Sequence, residues 1–525
     1  MKLGSLGLAA AALLGALACS SSSNPDDSGA AGTGAGASTS GGNDGTNSAA
    51  GADNRAGASS LGGSGANDTA GQNAGGQSAG GASAGAGAGG ASSSAAGVGG
   101  AVNQAGSSGS GGSGAAGSAG AGSTDPCGPS NPARVPLPVI PDRSFQVTSY
   151  GAVGDDKTDD TKALQAALDA ANTAGGGTVV IPSGNFLSGP IVISSSTNLQ
   201  LATGAVLKML PMASYKSTTP LITAASGAPH DISITGSGTI DGQGQAWWDA
   251  FAADSSVARP QIMSLGKVTR VLISGIKVQN PPEEHIWVKG DTNVTITGVT
   301  IDTPGTAGKN PPKNTDGIDI TATGAFLCNN SITAGDDNIA LNGTNIYIAY
   351  STFGVGHGCS IGSITENGVN QLTVDHVTFN GTTSGIRLKS ARDRGGLVHN
   401  LTYSNITMTD VQNPIYITSF YPTLPTDPKA DSTEAVTATT PEWQDITIKN
   451  VTVTGSDNGG ILWGLPEAKI SNLTLDNVKI SASKGMEIFH ATGVTFTNGS
   501  SVTAKSGAAV TIYDAAVSGV TTTAK

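Results

Sequence analysis

From residue 230 onward one eight-residue pattern recurs: apolar, any, apolar, any, then Asn, Gly, Asp or His, then apolar, any, apolar. It reads VLISGIKV at 271, VTITGVTI at 294, LTVDHVTF at 372, LTYSNITM at 401, ITIKNVTV at 446 and LTLDNVKI at 473. AFLCNNSI at 325 and IYIAYSTF at 346 are degenerate copies. Successive starts lie mostly 21 to 31 residues apart, with one interval of 45 between 401 and 446. Alternating β-branched residues describe short strands, and a Gly or Asn at the fifth position supplies the positive φ of a bend. A unit this small cannot bury its own apolar face and must stack on its neighbours, which makes the period the signature of a solenoid. With so little helical periodicity, the expected fold is all-β, a right-handed parallel β-helix. A two-sheet sandwich would not demand a regular recurrent unit.

One helix is expected, in TDDTKALQAALDAANTAGGG (158–177). Thr158 is placed as its N-cap, Asp159 and Asp160 suit its positive end, and Gly175 to Gly177 end it. Leu164, Ala167, Leu168 and Ala171 share one face, so the helix can cover the open end of the solenoid core.

Ahead of the solenoid, MKLGSLGLAAAALLGALACS has one positive charge followed by an apolar run too short and Ala-rich for a membrane span. It reads as an export signal over 1–18. ALAC allows ordinary cleavage after Ala18 and also resembles a bacterial lipobox, with Cys19 as the lipidated end. The expectation is a lipoprotein held at the cell envelope, with plain secretion as the alternative. Residues 19–135 are Gly-, Ala- and Ser-rich and read as a disordered linker, leaving 136–525 as the β-helix domain. The other cysteines are Cys127, Cys328 and Cys359; a Cys328–Cys359 bond and buried free thiols both stay open. A net charge of −12 and no basic stripe argue against a nucleic-acid partner. The expected state is a monomer.

The repeat also gives the acids a geometry. Between Ile320 and Thr365 the only carboxylates are Asp336 and Asp337, and no Lys or Arg occurs. Asp316, in KNTDGIDI, precedes Asp336 by 20 residues, and His357, in GVGHGCSI, follows it by 21. That is about one coil each way, so Asp316, the Asp336–Asp337 pair and His357 should stack on one face at the inter-strand spacing of about 4.8 Å. Arg387 and Lys389, in GIRLKSARDR, fall on the next coil. Crowded carboxylates cannot all ionise, so at least one should hold a proton, as a general acid must. An ionised neighbour can then activate water, and the cations can bind an anionic sugar.

NTDG, GDDN, GHG and RLK, in that order, resemble the four motifs of the polygalacturonase family, pectin-degrading glycoside hydrolases of the pectate-lyase-like β-helix superfamily. YGAVGDDKTDDTKALQAALDAA with GGGTVVIPSG, and GTIDGQGQAWW at 238–248, resemble further stretches of it. The resemblance spans about 145–480 and implies cleavage of α-1,4-galacturonosyl bonds with inversion, without metal or cofactor. It implies Asp336 as general acid, Asp316 and Asp337 as the water-activating carboxylates, and His357 as the residue tuning Asp336. Asn314, Arg387, Lys389 and Tyr421 (rather than Tyr416) are implied substrate contacts. Asn338 departs from the pattern where the family often has Cys, which implies a missing disulfide.

Two other readings compete. A pectate-lyase-like β-elimination needs a cation and an Arg base, whereas Arg387 matches the binding motif. A non-catalytic sugar-binding β-helix would have no need of the full acid set. His285, His376 and His399 are read as structural, Trp247 and Trp248 as loop packing, and Cys359 as a buried hydrophobe. Arg392 and Arg394 are read as partly solvated. The segment 422–444 is read as a long loop walling one end of the cleft and favouring chain-end cleavage.

Overall fold

A computed structural model describes Asp125, 127–303 and 312–523. The export signal, Cys19 and the linker up to residue 124 lie outside these residues. Among the described residues 32 strands join into one continuous sheet, and every pairing is parallel, each strand bonding to its equivalent about one coil away. This is the right-handed parallel β-helix.

The repeat explains the coil. Its fifth residue takes positive φ in all eight copies: Gly275, Gly298, Asn329, Tyr350, His376, Asn405, Asn450 and Asn477, at 49° to 76°. A left-handed residue there turns the chain from one sheet into the next, and Asn and Gly tolerate it best. The Asn side chains also bond along the stack, Asn450 to Asn405 at 3.1 Å and Asn477 to Asn450 at 3.0 Å. Inside, the third residue of each copy forms a buried column running Ile273, Ile296, Leu327, Ile348, Val374, Tyr403, Ile448 and Leu475 in register.

The helix Thr161–Thr173 buries Leu164, Ala167, Leu168 and Ala171, the face expected. Thr158 is not its N-cap: it lies in the strand Asp155–Asp159, and Asp160 stands at the cap position. The Asp160 carboxylate instead accepts from the N–H groups of Val153 and Gly154, at 2.7 and 3.1 Å. A second helix, Gln245–Ala253, carries Trp247 and Trp248, both buried; nine residues give too little periodicity to announce it.

The Cys328–Cys359 bond is not the one formed, and among the described residues the buried free thiol is found at Cys359 alone. Cys127 bonds Cys328, at a sequence separation of 201. Cys127 and Val135 pack with Phe326 and Ala349 on the outside of the coil, so ordered packing starts inside the stretch assigned to the linker.

Candidate active site

The acids sit on one turn that recurs from coil to coil. Inter-coil bonds fix its register: His285 N–H to Asp316 O (3.0 Å), Gly317 N–H to Asp337 O (2.9 Å), and Asn338 N–H to Gly358 O (3.1 Å). The strands that follow begin in register at Ile286, Ile318, Ile339, Cys359 and Ile386. Two residues before those starts stand Glu284, Asp316, Asp337, His357 and Ser384, one per coil. One residue after them, facing outward, stand Trp287, Asp319, Ala340, Ser360 and Arg387, and Tyr416 pairs with Arg387 on the next coil. The sequence spacing therefore brings Asp316, Asp336, Asp337 and His357 together, and it overlooked Glu284, Asp319 and Ser360, whose signal was the same register.

Close stacking explains the motif glycines. A Cβ on Gly358 would lie 2.1 Å from Ser384 O, and one on Gly317 would lie 2.5 Å from Asn338 O. Asn338 is fully buried and ties this turn to the segments beside it. Its Nδ2 donates to the carbonyls of Ile332 (3.0 Å), Gly354 (3.3 Å) and Val355 (3.2 Å), and its Oδ1 accepts from Gly358 N–H at 2.8 Å.

Asp337 is buried with both oxygens occupied. Oδ1 accepts from Arg387 Nη1 (2.7 Å) and Ser360 Oγ (2.7 Å), and Oδ2 accepts from Lys389 Nζ (3.0 Å). Burial alone pushes its carboxyl up, but the charges of Lys389 and Arg387 outweigh that and hold it at about 2. Asp336 is more open, and its Oδ1 shares a hydrogen bond of 2.9 Å with His357 Nδ1 while accepting from Asp337 N–H at 3.0 Å. Asp316 is pushed well above the carboxylate range, by burial first and then by the neighbouring charges of Asp319, Asp336, Asp337 and Glu284. Asp319 rises likewise, through burial and Glu284, and burial together with Glu283 lifts Glu284 to about 8.

Arg387 and Lys389 thus have Asp337 as their first partner, and Lys389 is nearly enclosed, its side chain 5% exposed. Tyr421 lies beside both, with Lys389 Nζ 5.0 Å and Arg387 Cζ 5.8 Å from its ring centre. Asn314 Oδ1 accepts from Arg259 Nη2 at 3.3 Å. His285 is structural, and it also positions the site: it is wholly buried, its Nδ1 bonds Asp316 O at 2.8 Å, and burial lowers its pKa to about 4. His376 stacks on Tyr350. Arg392 and Arg394 are partly solvated, as expected, and each also makes specific contacts. Arg392 bonds Glu467 and the Ser432 carbonyl, and Arg394 donates to Tyr421 O, so the pair clamps the long loop. That loop is further held by Asp431, which accepts from Trp463 Nε1 (2.9 Å) and bonds His490 Nε2 (3.0 Å).

One set of His and acidic side chains among the described residues is close enough to share a metal: Asp336, Asp337 and His357, within 4.8 Å. Lys389 and Arg387 already neutralise Asp337 there, which suits water and proton transfer better than a cation.

The model of glycosyl hydrolases family 28 matches residues 173–512. An endo-polygalacturonase of Pectobacterium carotovorum subsp. carotovorum is 32% identical over 376 residues, covering 64% of this chain and 88% of its own. An endo-xylogalacturonan hydrolase A of Aspergillus tubingensis is 32% identical over 308 residues, covering 56% and 75%. Among solved structures, the polygalacturonase from Erwinia carotovora ssp. carotovora matches with a TM-score of 0.55 and 28% identity, covering 73% of this chain and 99% of that one.

Proposed function

The chain belongs to glycosyl hydrolases family 28, pectin-hydrolysing enzymes, and from that premise we propose that it cleaves α-1,4-galacturonosyl bonds with inversion. The observation that carries the mechanism is the unequal treatment of neighbouring carboxyls. Asp337 is kept ionised by Lys389 and Arg387, with Oδ2 retaining a lone pair for water. Asp336 is the more accessible acid, in hydrogen-bond contact with His357, so a proton can sit between them and pass to the leaving oxygen. Three donors immobilise Asp337, which favours its drawing a proton from water over forming a covalent sugar ester; attack by water from the face opposite the leaving group inverts the anomeric carbon. Arg387, still partly exposed at 14% of its side chain, offers its remaining N–H groups to a sugar carboxylate beside Tyr421.

A reducing-end assay on polygalacturonate, rhamnogalacturonan and xylogalacturonan tests this. The wild type should release reducing ends from polygalacturonate, and Asp336→Asn should lose about 10²- to 10⁴-fold in kcat. An unsaturated, UV-absorbing product, or loss of activity in chelator, would assign a lyase instead; unaltered binding without cleavage in the wild type would assign a binding module. The size course of the same digest tests the long loop. Small products from the start support a walled chain end, and early mixed oligomers support the internal cleavage named for the Pectobacterium relative.

One observation favours a second assignment of the acid: Asp316 stands beside the water-activating Asp337 and is driven by burial well above the carboxylate range, toward its protonated form. A substrate with an activated leaving group separates the two, since it needs no acid. Such a substrate should restore rate to Asp336→Asn in the first assignment and to Asp316→Asn in the second.

The export segment and Cys19 support an enzyme tethered at the cell envelope by one lipidated residue and a flexible linker. Its partner is the polysaccharide alone.

A further inference from the structure

Arg259 takes no part in the proton transfers, yet it lies close enough to the acids for the charges of Glu283, Glu284, Asp316 and Asp336 to act on it. Its side chain is 2% exposed. Just after it, Ile262 N–H donates to Glu284 O, and on the next coil His285 N–H donates to Asp316 O. Arg259 therefore stands two coils before Asp316, about 10 Å along the stack, a distance only a long side chain can bridge.

A buried arginine beside two glutamates would ordinarily fork onto one carboxylate. Here Glu283 Oε1 lies 3.6 Å from Nη2, outside hydrogen-bond range. The guanidinium is turned instead to the segment that carries Asp316. Nη1 donates to Lys313 O at 2.6 Å and to Pro282 O at 3.1 Å, and Nη2 donates to Asn314 Oδ1 at 3.3 Å. Its flat face is held by the ring of Phe251 on the second helix, with Cζ 3.9 Å from the ring centre. The backbone of the Asn314 turn is secured separately from the other side. Thr315 accepts Gly335 N–H through its hydroxyl (3.1 Å) and its carbonyl (3.3 Å), and a Cβ on Gly335 would lie 2.1 Å from Pro312 O. What the backbone leaves open is the rotation of the Asn314 carboxamide, and Asn314 is only half-buried.

We infer that Arg259 is a positioning residue: by holding Asn314 Oδ1 it turns the carboxamide so that Nδ2 donates to an oxygen of the bound sugar. Arg259 itself touches no substrate. Without it the amide could flip and offer an acceptor to a polymer whose polar groups are carboxylates and hydroxyls. Lysine cannot take its place, because a compact ammonium has neither the fixed fork nor the flat face. This rests on the hydrolase reading above and adds a residue to that same site.

The test is a double-mutant cycle read in kcat and KM, on whichever of polygalacturonate, rhamnogalacturonan and xylogalacturonan the wild type cleaves fastest. The variants are Arg259→Gln, Arg259→Lys, Asn314→Ala and the double variant Arg259→Gln/Asn314→Ala. Arg259→Gln and Asn314→Ala should each raise KM about tenfold, the worth of one hydrogen bond. Because the arginine acts through the asparagine, the double variant should lie within about twofold of either single one, whereas independent residues would multiply to about a hundredfold. Arg259→Lys should leave KM raised. A general loss of fold would lower kcat with the fraction of active enzyme and leave KM unmoved. Asn314→Asp covers the case in which the Arg259 variants do not fold: it keeps an acceptor for Arg259, replaces the donor by an anion, and should raise KM at least about tenfold with the melting temperature unchanged. Multiplicative KM effects in the cycle, or wild-type KM in Asn314→Asp, would overturn this inference and leave the hydrolase reading standing. No new reducing ends from any of the three polymers in the wild type would overturn both.

Discussion

Asp337 and Asp316 stand one coil apart, and what surrounds them holds them in opposite charge states. Lys389 and Arg387 keep Asp337 ionised, while Asp316 meets burial and four acidic neighbours. Glu284 extends that acidic column by one coil and gives it a measurable stability signature. Burial and Glu283 raise its folded pKa to about 8, above the ordinary carboxyl value of 4.5, so the folded state binds the extra proton between those limits. Stability contributed by this group is fully present below the unfolded pKa and is lost as pH rises through the folded one. Glu284→Gln removes that titration. Melting curves of the two proteins should therefore coincide in slope near pH 4 and diverge up to about pH 8, the variant becoming the more stable partner as pH rises. Parallel curves across that range would show that Glu284 is not held neutral.

At the scale of the element, the turn that carries the site is rigid because Asn338 knits it to two neighbouring segments with four hydrogen bonds. Asn338→Ala would leave Gly354 O and Gly358 N–H without their partner in a buried place, while Ile332 O and Val355 O keep the N–H groups of Gly354 and Ala334. It should cost about 2–4 kcal/mol in a denaturant titration, with a larger loss in kcat than in KM. A variant within about 0.5 kcal/mol of wild type would show that the stacked strands alone set the turn. The octad was legible because its bend residue must take positive φ, and the eight copies kept Asn, Gly or a tolerated substitute there. The coil-length intervals then brought Asp316, Asp336 and His357 onto one turn, although Asp337 rather than Asp336 shares register with Asp316 and His357. Partners set by three-dimensional contact were not legible: Cys127 reaching Cys328 across 201 residues leaves no local signal, and neither does the pairing of Arg387 and Lys389 with Asp337. Glu284 escaped notice because its turn, PEEH at 282–285, shares register with NTDG but none of its letters.

For the whole molecule, the account combines a catalytic β-helix with a low-complexity segment whose sequence supports a tether from Cys19. Cys19→Ala should move the enzyme from the membrane fraction to the soluble one without changing kcat on polygalacturonate, as read by fractionation and activity assay; unchanged membrane retention would remove Cys19 as the anchor. The claim on which the rest depends is hydrolysis by water that Asp337 activates and an acid on the adjoining turn protonates. Proton NMR of a fresh digest of polygalacturonate measures it directly. The account predicts that the β-anomeric reducing end appears first and then mutarotates toward the equilibrium mixture. The α-anomer appearing first, or an unsaturated end in place of a reducing one, would contradict it.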